Sequence, residues 1–291
     1  MSMKPEHELD ETGIPHIASP PRRWTPGREW RTMYAFVERN FHLVRRYLSW
    51  EIVNIFYSII NAMTIGLISF AAPAKDKAAT TLFLVIGALM WGYLSILFDE
   101  VANSITYERW EGTIEYTFMA PIRRLTHLLG TCLWGASYGL LRTLIVLAVA
   151  AWFFHLPLSK ANLLAAIVAL LISSLSFMGL GLIAAVLPLL STERGAQATH
   201  IIQGVILLVS GIYYPVTVLP RFVQWLSNFS PATYALDTTR AALLDGAGLG
   251  VLWPSLLKLF AIGVALIPIG LAIFTTAEHY AMRTGRLKRN G

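Results

Sequence analysis

Apolar residues run along most of this chain in stretches long enough to cross a lipid bilayer, and polar residues gather between them. A bilayer core takes about 20 apolar residues per helix, whereas buried helices of soluble proteins are usually shorter. The pattern predicts six transmembrane helices, with the approximate bounds 48–71, 80–101, 125–152, 162–190, 197–214 and 252–275. The expected fold class is therefore an all-α polytopic membrane protein.

The segment before the first span has two parts. Residues 1–27 contain five prolines and scattered charges, which predicts a disordered cytoplasmic arm. Residues 28–47 repeat apolar side chains at helical spacing with charged side chains largely opposite, which predicts an amphipathic helix lying in the headgroup layer. A helix packed on the rest of the protein is the alternative for this segment. No cleavable signal peptide is expected, because no short apolar segment with a cleavage site precedes the arm.

The lysine and arginine residues outside the spans are distributed unequally between the two sides of the predicted bundle. Sixteen lie on the side of the two termini and five lie on the opposite side. Cytoplasmic segments carry the excess of Lys and Arg. Both termini, including the basic tail 281–291, are therefore predicted to be cytoplasmic, and the number of crossings must be even.

The region 215–250, before the last span, is the least regular. Its apolar run from Val216 to Phe229 is only about 14 residues long and is interrupted by Pro220. A seventh crossing here would place the basic tail outside, so we predict an outer re-entrant or interfacial hairpin, followed by a short amphipathic helix near Tyr234–Leu244. The candidate residues of this outer region are Pro215, Pro220, Trp225, Pro231 and Tyr234.

Composition agrees with a lipid environment and narrows the chemistry. Among 291 residues, 55% are hydrophobic and 14% are charged, which is too little charge for a soluble protein of this length. The net charge of +6 arises from residues beside the spans, so anionic lipid is the expected partner rather than nucleic acid. The single cysteine, Cys132, excludes a disulfide framework, and His200 has no second ligand at metal-binding spacing. We therefore predict no metal site and no catalytic residue.

Polar residues recur on one face of two predicted spans. In the first span Glu51, Asn54, Ser58, Asn61 and Thr64 share a face, which must contact protein or water because a polar stripe is costly in lipid. A second set lies on one face of the fifth span. These residues either form interhelical hydrogen bonds, worth about 0.6 kcal/mol each, or have a functional role that the pattern alone does not specify. The residues concerned include Asn54, Ser58, Asn61, Gln197, His200 and Gln203.

Two cations lie within predicted spans, Arg142 in the third and Lys258 in the last. Both are toward the outer half, where long side chains can extend to the headgroups. This interpretation is preferred for Lys258 and stays open for the deeper Arg142.

The loop 102–124 between the second and third spans contains the most informative motif. Gly112 interrupts the helical pattern, Thr113 is a good N-cap, and Glu115 lies in the first turn, where the helix dipole favours an anion. Pro121 then stops the segment. The residues predict a short, capped helix outside the membrane, which is either a rigid loop or a docking surface for a soluble partner.

The order Glu-x-x-Glu-Gly-Thr-Ile-Glu, followed by Pro121 and a basic pair, resembles the signature of type-2 ABC exporter permeases. The six spans, the amphipathic N-terminal helix and the outer re-entrant segment resemble the same family, so residues 28–280 are expected to form a transmembrane permease domain. The resemblance implies that the loop carries a coupling helix, seated in a cleft of a separate ATPase subunit. The coupling residues are then Glu108, Glu111, Gly112, Thr113, Glu115 and Tyr116.

The resemblance implies a permease subunit in the cytoplasmic membrane, paired with a second copy or a closely related permease. It also implies that the first and fifth spans line a translocation path at the dimer axis, with Asn54, Ser58, Asn61, Gln197, His200 and Gln203 as the candidate path residues. The chain lacks a G-x-x-x-x-G-K-[ST] phosphate loop, so it is expected to bind no cofactor, and ATP and Mg are expected on the partner ATPase. A hydrophobic, lipid-linked or drug-like substrate is expected.

Two other function classes stay open from sequence. A polytopic membrane enzyme acting on lipid would need converging catalytic groups near one interface, and an ion-driven carrier would need acidic residues near the bilayer midplane or repeated halves.

Overall fold

The chain folds into a bundle of helices. The computed structural model describes residues 26–71, 73, 77–110, 124–156, 158–191 and 195–284. The helices in these ranges are α1 (Pro26–Arg46), α2 (Leu48–Leu67), α3 (Lys77–Trp110), α4 (Arg124–Phe154), α5 (Leu163–Ala184), α6 (Val186–Leu190), α7 (Gly195–Val209), α8 (Arg221–Ser227), α9 (Pro231–Leu244) and α10 (Leu249–Arg283). Short 3₁₀ turns are formed by Ile68–Ala71, Leu158–Lys160 and Val216–Val218.

Several of these helices have the length and composition of membrane spans. In the part of the chain that the structure describes, five segments qualify: Leu48–Ala71, Lys77–Ala102, Thr126–Phe154, Leu163–Leu190 and Leu249–Arg283. The predicted span 197–214 corresponds to α7, which has 15 residues and therefore extends only about 22 Å, against a hydrocarbon core of about 30 Å. The prediction of an all-α polytopic membrane protein is confirmed, and the number of complete crossings stays a prediction.

Some helix bounds differ from those predicted. Helix α3 continues to Trp110, so the first residues of the predicted loop 102–124 are helical. Helix α10 extends beyond the predicted span 252–275 at both ends and begins at Leu249, inside the predicted outer region 215–250. Residues 1–25, 111–123 and 285–291 lie outside the described residues, and with them most of the predicted arm, the coupling motif and most of the tail.

The centre of the bundle is α3. In its most apolar stretch of 18 residues 67% of the residues are buried, against 17% in the corresponding stretch of α2. Helix α3 also contacts α2, α4, α5, α7 and α9. Tyr93 of α3 is fully buried, and its hydroxyl shares a 2.6 Å hydrogen bond with the hydroxyl of Ser174 on α5. The surrounding helices therefore pack on α3, and their outer faces are left for lipid or for another protein.

Small residues allow α5 and α10 to pack closely. A Cβ built at Gly179 would lie 2.5 Å from the Cβ of Leu266, so no larger residue fits there without a shift. The hydroxyl of Ser176 donates a 3.0 Å hydrogen bond to the carbonyl oxygen of Leu259. Close backbone approach and short polar contacts are the usual means of joining helices in lipid, where apolar burial gives no preference for protein over lipid.

Helix α1 packs on the bundle, while its location in a headgroup layer stays a prediction. One side packs on α4, where the rings of Phe36 and His127 lie 4.5 Å apart and Thr126 donates a hydrogen bond to the carboxylate of Glu29. The opposite side leaves Trp30 and Tyr34 about two-thirds exposed. The packed alternative is therefore found, and aromatic side chains stay available for a headgroup layer.

A buried arginine holds the segment that follows α7. The backbone turns at Gly211, whose φ of +66° is readily adopted only by a residue without a Cβ. Arg240 of α9 donates hydrogen bonds to the carbonyl oxygens of Gly211 at 3.2 Å and Ile212 at 2.7 Å. Its guanidinium carbon lies 3.6 Å from the centre of the Phe83 ring on α3. This arrangement ties the turn after α7 to both α9 and α3.

Arg240 keeps its positive charge although its side chain is buried. Desolvation lowers the pKa of Arg240 to about 10, and the neighbouring Asp237 opposes that lowering. The guanidinium is therefore protonated at neutral pH and can donate to both carbonyl oxygens.

Gly87 lets α3 approach the same turn. A Cβ built at Gly87 would lie 2.2 Å from the carbonyl oxygen of Ile212, and a backbone oxygen cannot rotate away as a side chain can. We expect Gly87→Val to destabilise the protein by about 2 kcal/mol, as overpacking of a filled core does. The matched control is Gly92→Val on the same helix, where the added Cβ meets open space. Equal thermal unfolding midpoints for the two purified variants would show that the close contact between α3 and the Ile212 carbonyl oxygen does not restrict the residue at position 87.

Candidate functional site

A polar cavity lies between α1, α2, α3 and α4 at the end of the bundle where α2 begins and the apolar part of α3 ends. Its volume is about 580 Å³. Three carboxylates line it, Glu51, Asp99 and Glu100, together with the guanidinium groups of Arg39 and Arg142. Such a concentration of charge beside apolar spans requires partners, because an isolated ion in low dielectric is costly.

The polar stripe of α2 provides one wall of this cavity. Tyr138 of α4 donates a hydrogen bond to the carboxylate of Glu51. Arg142 of α4 donates to the carbonyl oxygen of Asn54 at 2.6 Å and to the hydroxyl of Ser58 at 2.5 Å. The part of the stripe from Glu51 to Ser58 therefore faces α4, whereas Asn61 and Thr64 are exposed.

Arg142, whose extension to the headgroups was left open from sequence and stays a prediction, contacts α2. Its guanidinium points between α2 and α4, where the two hydrogen bonds described above hold it. The carbonyl and hydroxyl oxygens of α2 lie within the length of this side chain, so one guanidinium nitrogen, Nη2, donates to both. Lys258 lies at an exposed position on α10.

The predicted residues of α7 are divided between the interior and the surface. Gln203 is buried and donates a 2.6 Å hydrogen bond to the carboxylate of Asp99 on α3. His200 and Gln197 are exposed, and the His200 Nδ1 lies 3.5 Å from the Gln203 side-chain oxygen. On α2, Asn61 is exposed and lines a smaller pocket beside Gly92.

Asp99 connects the two predicted sets of path residues. Its carboxylate is bonded to Gln203 of α7, and it also lines the cavity that Glu51 and Asn54 border from α2. The two sets are therefore not adjacent within one chain, because α3 lies between them. Any role of these residues in translocation stays a prediction.

Asp99 and Glu100 were not singled out from sequence, although the sequence carried a signal. Both lie inside the stretch predicted as the second span, 80–101, where two consecutive carboxylates are costly unless a cavity or partners receive them. Gly135 of α4 gives the room: a Cβ there would lie 3.2 Å from the Glu100 Cβ. A carboxylate pair at the end of a span, opposite a glycine, is the pattern that would have predicted the cavity.

Comparison with known proteins identifies the family to which this bundle belongs. A family model described as ABC-2 type transporter matches residues 31–244. The chain is a member of this family. The match begins in α1 and ends at the last residue of α9, so it includes the cavity and the turn held by Arg240.

Curated relatives of this ABC-2 type permease match over about half of the chain. The "Probable multidrug ABC transporter permease YbhR" of Escherichia coli K12 is 27% identical over 160 residues, which are 55% of this chain and 43% of that protein. The "Inner membrane transport permease YadH" of the same organism is 24% identical over 56% of this chain and 62% of its own length. The "ABC transporter G family member 20" of Dictyostelium discoideum is 29% identical over 50% of this chain and 20% of its length.

The outer residues of this ABC-2 type permease form a compact turn structure after α7. Pro215 precedes the Val216–Val218 turn, Pro220 precedes α8, and Pro231 is the first residue of α9, a position where proline costs no hydrogen bond. The Tyr234 hydroxyl donates a 2.9 Å hydrogen bond to the carbonyl oxygen of Asn228. Trp225 is exposed and packs edge-to-face on Phe229. Whether this segment enters the membrane stays a prediction.

The coupling residues cannot be placed in the same way. Glu108 falls within α3, near its carboxyl end. The other five, Glu111, Gly112, Thr113, Glu115 and Tyr116, lie outside the described residues.

Proposed function

We propose that this chain is the membrane-spanning permease subunit of an ATP-driven exporter, powered by a separate ABC ATPase. The observation that carries the proposal is the ABC-2 family match over residues 31–244, on a chain whose described helices include five of membrane-spanning length. The name of the first relative, a probable multidrug permease, supports a drug-like substrate. The substrate class we propose is hydrophobic, lipid-linked or drug-like.

ATP and Mg are bound by the partner in this proposal, and the segment from Glu108 to Pro121 transmits the conformational change. An energy source can bias only those states between which its contacts differ. The segment must therefore contact the ATPase differently in its ATP-bound and nucleotide-free states. Alternating access of the permease to the two sides of the cytoplasmic membrane then follows, with both termini in the cytoplasm.

Pairing of two permease chains is supported by the surfaces that one chain leaves uncovered. Gly204 of α7 has open space around it, next to the exposed side chains of Ile201, Val205 and Leu208. Helix α2 exposes a comparable apolar face that includes Phe56 and Tyr57. We propose that these faces meet a second copy or a closely related permease, with the path between them. Anionic lipid is the proposed partner of the cationic face of α1.

The decisive experiment is purification of the full-length tagged chain from the membranes of its own host. An ABC ATPase is expected to co-purify, and the complex is expected to hydrolyse ATP in a vanadate-sensitive manner. The control is the same chain produced without its partner, which should show no ATP hydrolysis. An ion-driven carrier is the outcome if the chain alone, in vesicles without nucleotide, accumulates substrate in response to a proton or sodium gradient, and that result would overturn the proposal.

A further inference from the structure

The cavity between α1, α2, α3 and α4 has aromatic walls as well as charged ones. Trp134 and Tyr138 of α4 stack with ring centres 5.6 Å apart, and Trp50 of α2 lines the same space. A volume of about 580 Å³ falls in the range of small-molecule sites, which is roughly 300–1,000 Å³. The cavity is therefore large enough for an organic molecule and offers faces on which a flat or cationic group can stack.

The described hydrogen bonds to the carboxyl groups of the cavity come from neutral donors. Glu51 and Asp99 are bonded by neutral donors, the Tyr138 hydroxyl and the Gln203 amide. The Arg142 hydrogen bonds in this region go to neutral oxygens of Asn54 and Ser58. Among the described residues that line the cavity, three carboxyl groups thus face two guanidinium groups.

Glu100 is the carboxyl group of the cavity to which no described side chain donates a hydrogen bond. Its stem lies against Gly135 of α4, and its head lines the cavity. Arg39, on the exposed side of α1, is near enough to Glu100 for an electrostatic attraction between the two side chains. In the part of the chain that the structure describes, no hydrogen bond to the Glu100 carboxylate is present. A cationic ligand in the cavity would supply a charge-assisted donor to this carboxyl group.

We propose that this cavity binds an amphipathic organic cation, with the charge near Glu100 and the apolar body against Trp50, Trp134 and Tyr138. The aromatic walls favour an organic cation over a metal ion, since hard metal ions need several oxygen ligands in a small shell rather than ring faces. In the described ranges no three His, Cys, Asp or Glu residues are grouped as a metal site would require. The inference rests on the proposed exporter function, because it assigns the chemical class of the cargo.

The test is equilibrium binding of tetraphenylphosphonium to the full-length permease in lipid nanodiscs. Tetraphenylborate has the same shape and the opposite charge, so it reports apolar partitioning alone, and empty nanodiscs give the lipid background. Tetraphenylphosphonium is expected to bind saturably and tetraphenylborate is not. Glu100→Gln, which removes the charge and keeps the shape, is expected to weaken tetraphenylphosphonium binding about tenfold. The matched control is Glu38→Gln on the exposed side of α1, which should leave the affinity unchanged.

A second measurement covers the case in which Glu100→Gln does not fold. Asn40 of α1 lines the cavity, and Cys132, the single native cysteine, is buried. Asn40→Cys is expected to react with a maleimide, and tetraphenylphosphonium should slow that reaction while tetraphenylborate should not. Equal affinity in Glu100→Gln and the unchanged chain, equal binding of both ions, or no protection of Asn40→Cys would each overturn the inference.

These measurements are independent of the ATPase. A permease that co-purifies with an ATPase and exports a substrate, yet fails to bind tetraphenylphosphonium, would keep the proposed function and lose the inference. Saturable binding by a chain that never assembles with an ATPase would keep the binding site and lose the proposed exporter function.

Discussion

Arg240→Met is expected to destabilise the purified permease by about 3 kcal/mol and to lower its thermal unfolding midpoint by roughly 5–10 °C. The guanidinium donates to the carbonyl oxygens of Gly211 and Ile212, and methionine leaves both acceptors without a donor. Each buried unsatisfied acceptor costs about 1–3 kcal/mol. The stacking of the cation on Phe83 is lost as well.

The matched control for this loss is Arg221→Met, because Arg221 is an exposed arginine on the neighbouring helix α8. Arg240→Lys should fall between the two, since an ammonium cannot reproduce the planar fork that spans two oxygens. If Arg240→Met and Arg221→Met unfold at the same temperature, the clamp on the turn after α7 is not a stabilising feature.

Glu111→Lys is expected to reduce ATP-driven export at least tenfold, while the permease itself folds normally. Glu111 lies at the start of the Glu-Gly-Thr-Ile-Glu motif that we propose as the contact with the ATPase. Reversing its charge places a like charge where a complementary one is needed, and such changes at a buried contact cost about 2–5 kcal/mol. The measurement is ATP-dependent transport in vesicles together with the amount of ATPase that co-purifies.

Gly112→Pro is the companion variant, because proline fixes the backbone at the residue that interrupts the helical pattern. Glu38→Lys, a charge reversal on the exposed side of α1, serves as the control and should leave both readouts unchanged. Assembly and export that persist in both Glu111→Lys and Gly112→Pro would remove the coupling role from this segment.

The helices could be predicted because lipid imposes a simple rule on the sequence. A span must be long and apolar, so α2 and α5 begin close to the predicted residues 48 and 162. The end of α3 could not be predicted in the same way, since a helix continues into water wherever its backbone bonds remain satisfied. That is why α3 extends to Trp110 although its apolar part ends near Ala102.

The cavity was harder to predict than the helices. Helical spacing shows that Glu51, Asn54 and Ser58 share a face, but it does not show which helix that face meets. The contacts of Glu51 with Tyr138 and of Asp99 with Gln203 join residues far apart in sequence, and they depend on how each helix is rotated about its axis. Arg240 was counted among the charges of the outer side, whereas the structure buries it.

One labelling measurement tests the central claim. The claim is that the capped segment after α3 lies in the cytoplasm, where it contacts the ATPase and transmits its conformational change. Thr113→Cys would be introduced with Cys132→Ala, which removes the single native cysteine, and treated with a membrane-impermeant maleimide in intact cells and in inverted vesicles. Val218→Cys, at an exposed position in the outer region, is the reference for the opposite side. We predict that Thr113→Cys is labelled only in inverted vesicles and Val218→Cys only in intact cells. Labelling of Thr113→Cys in intact cells would contradict the account.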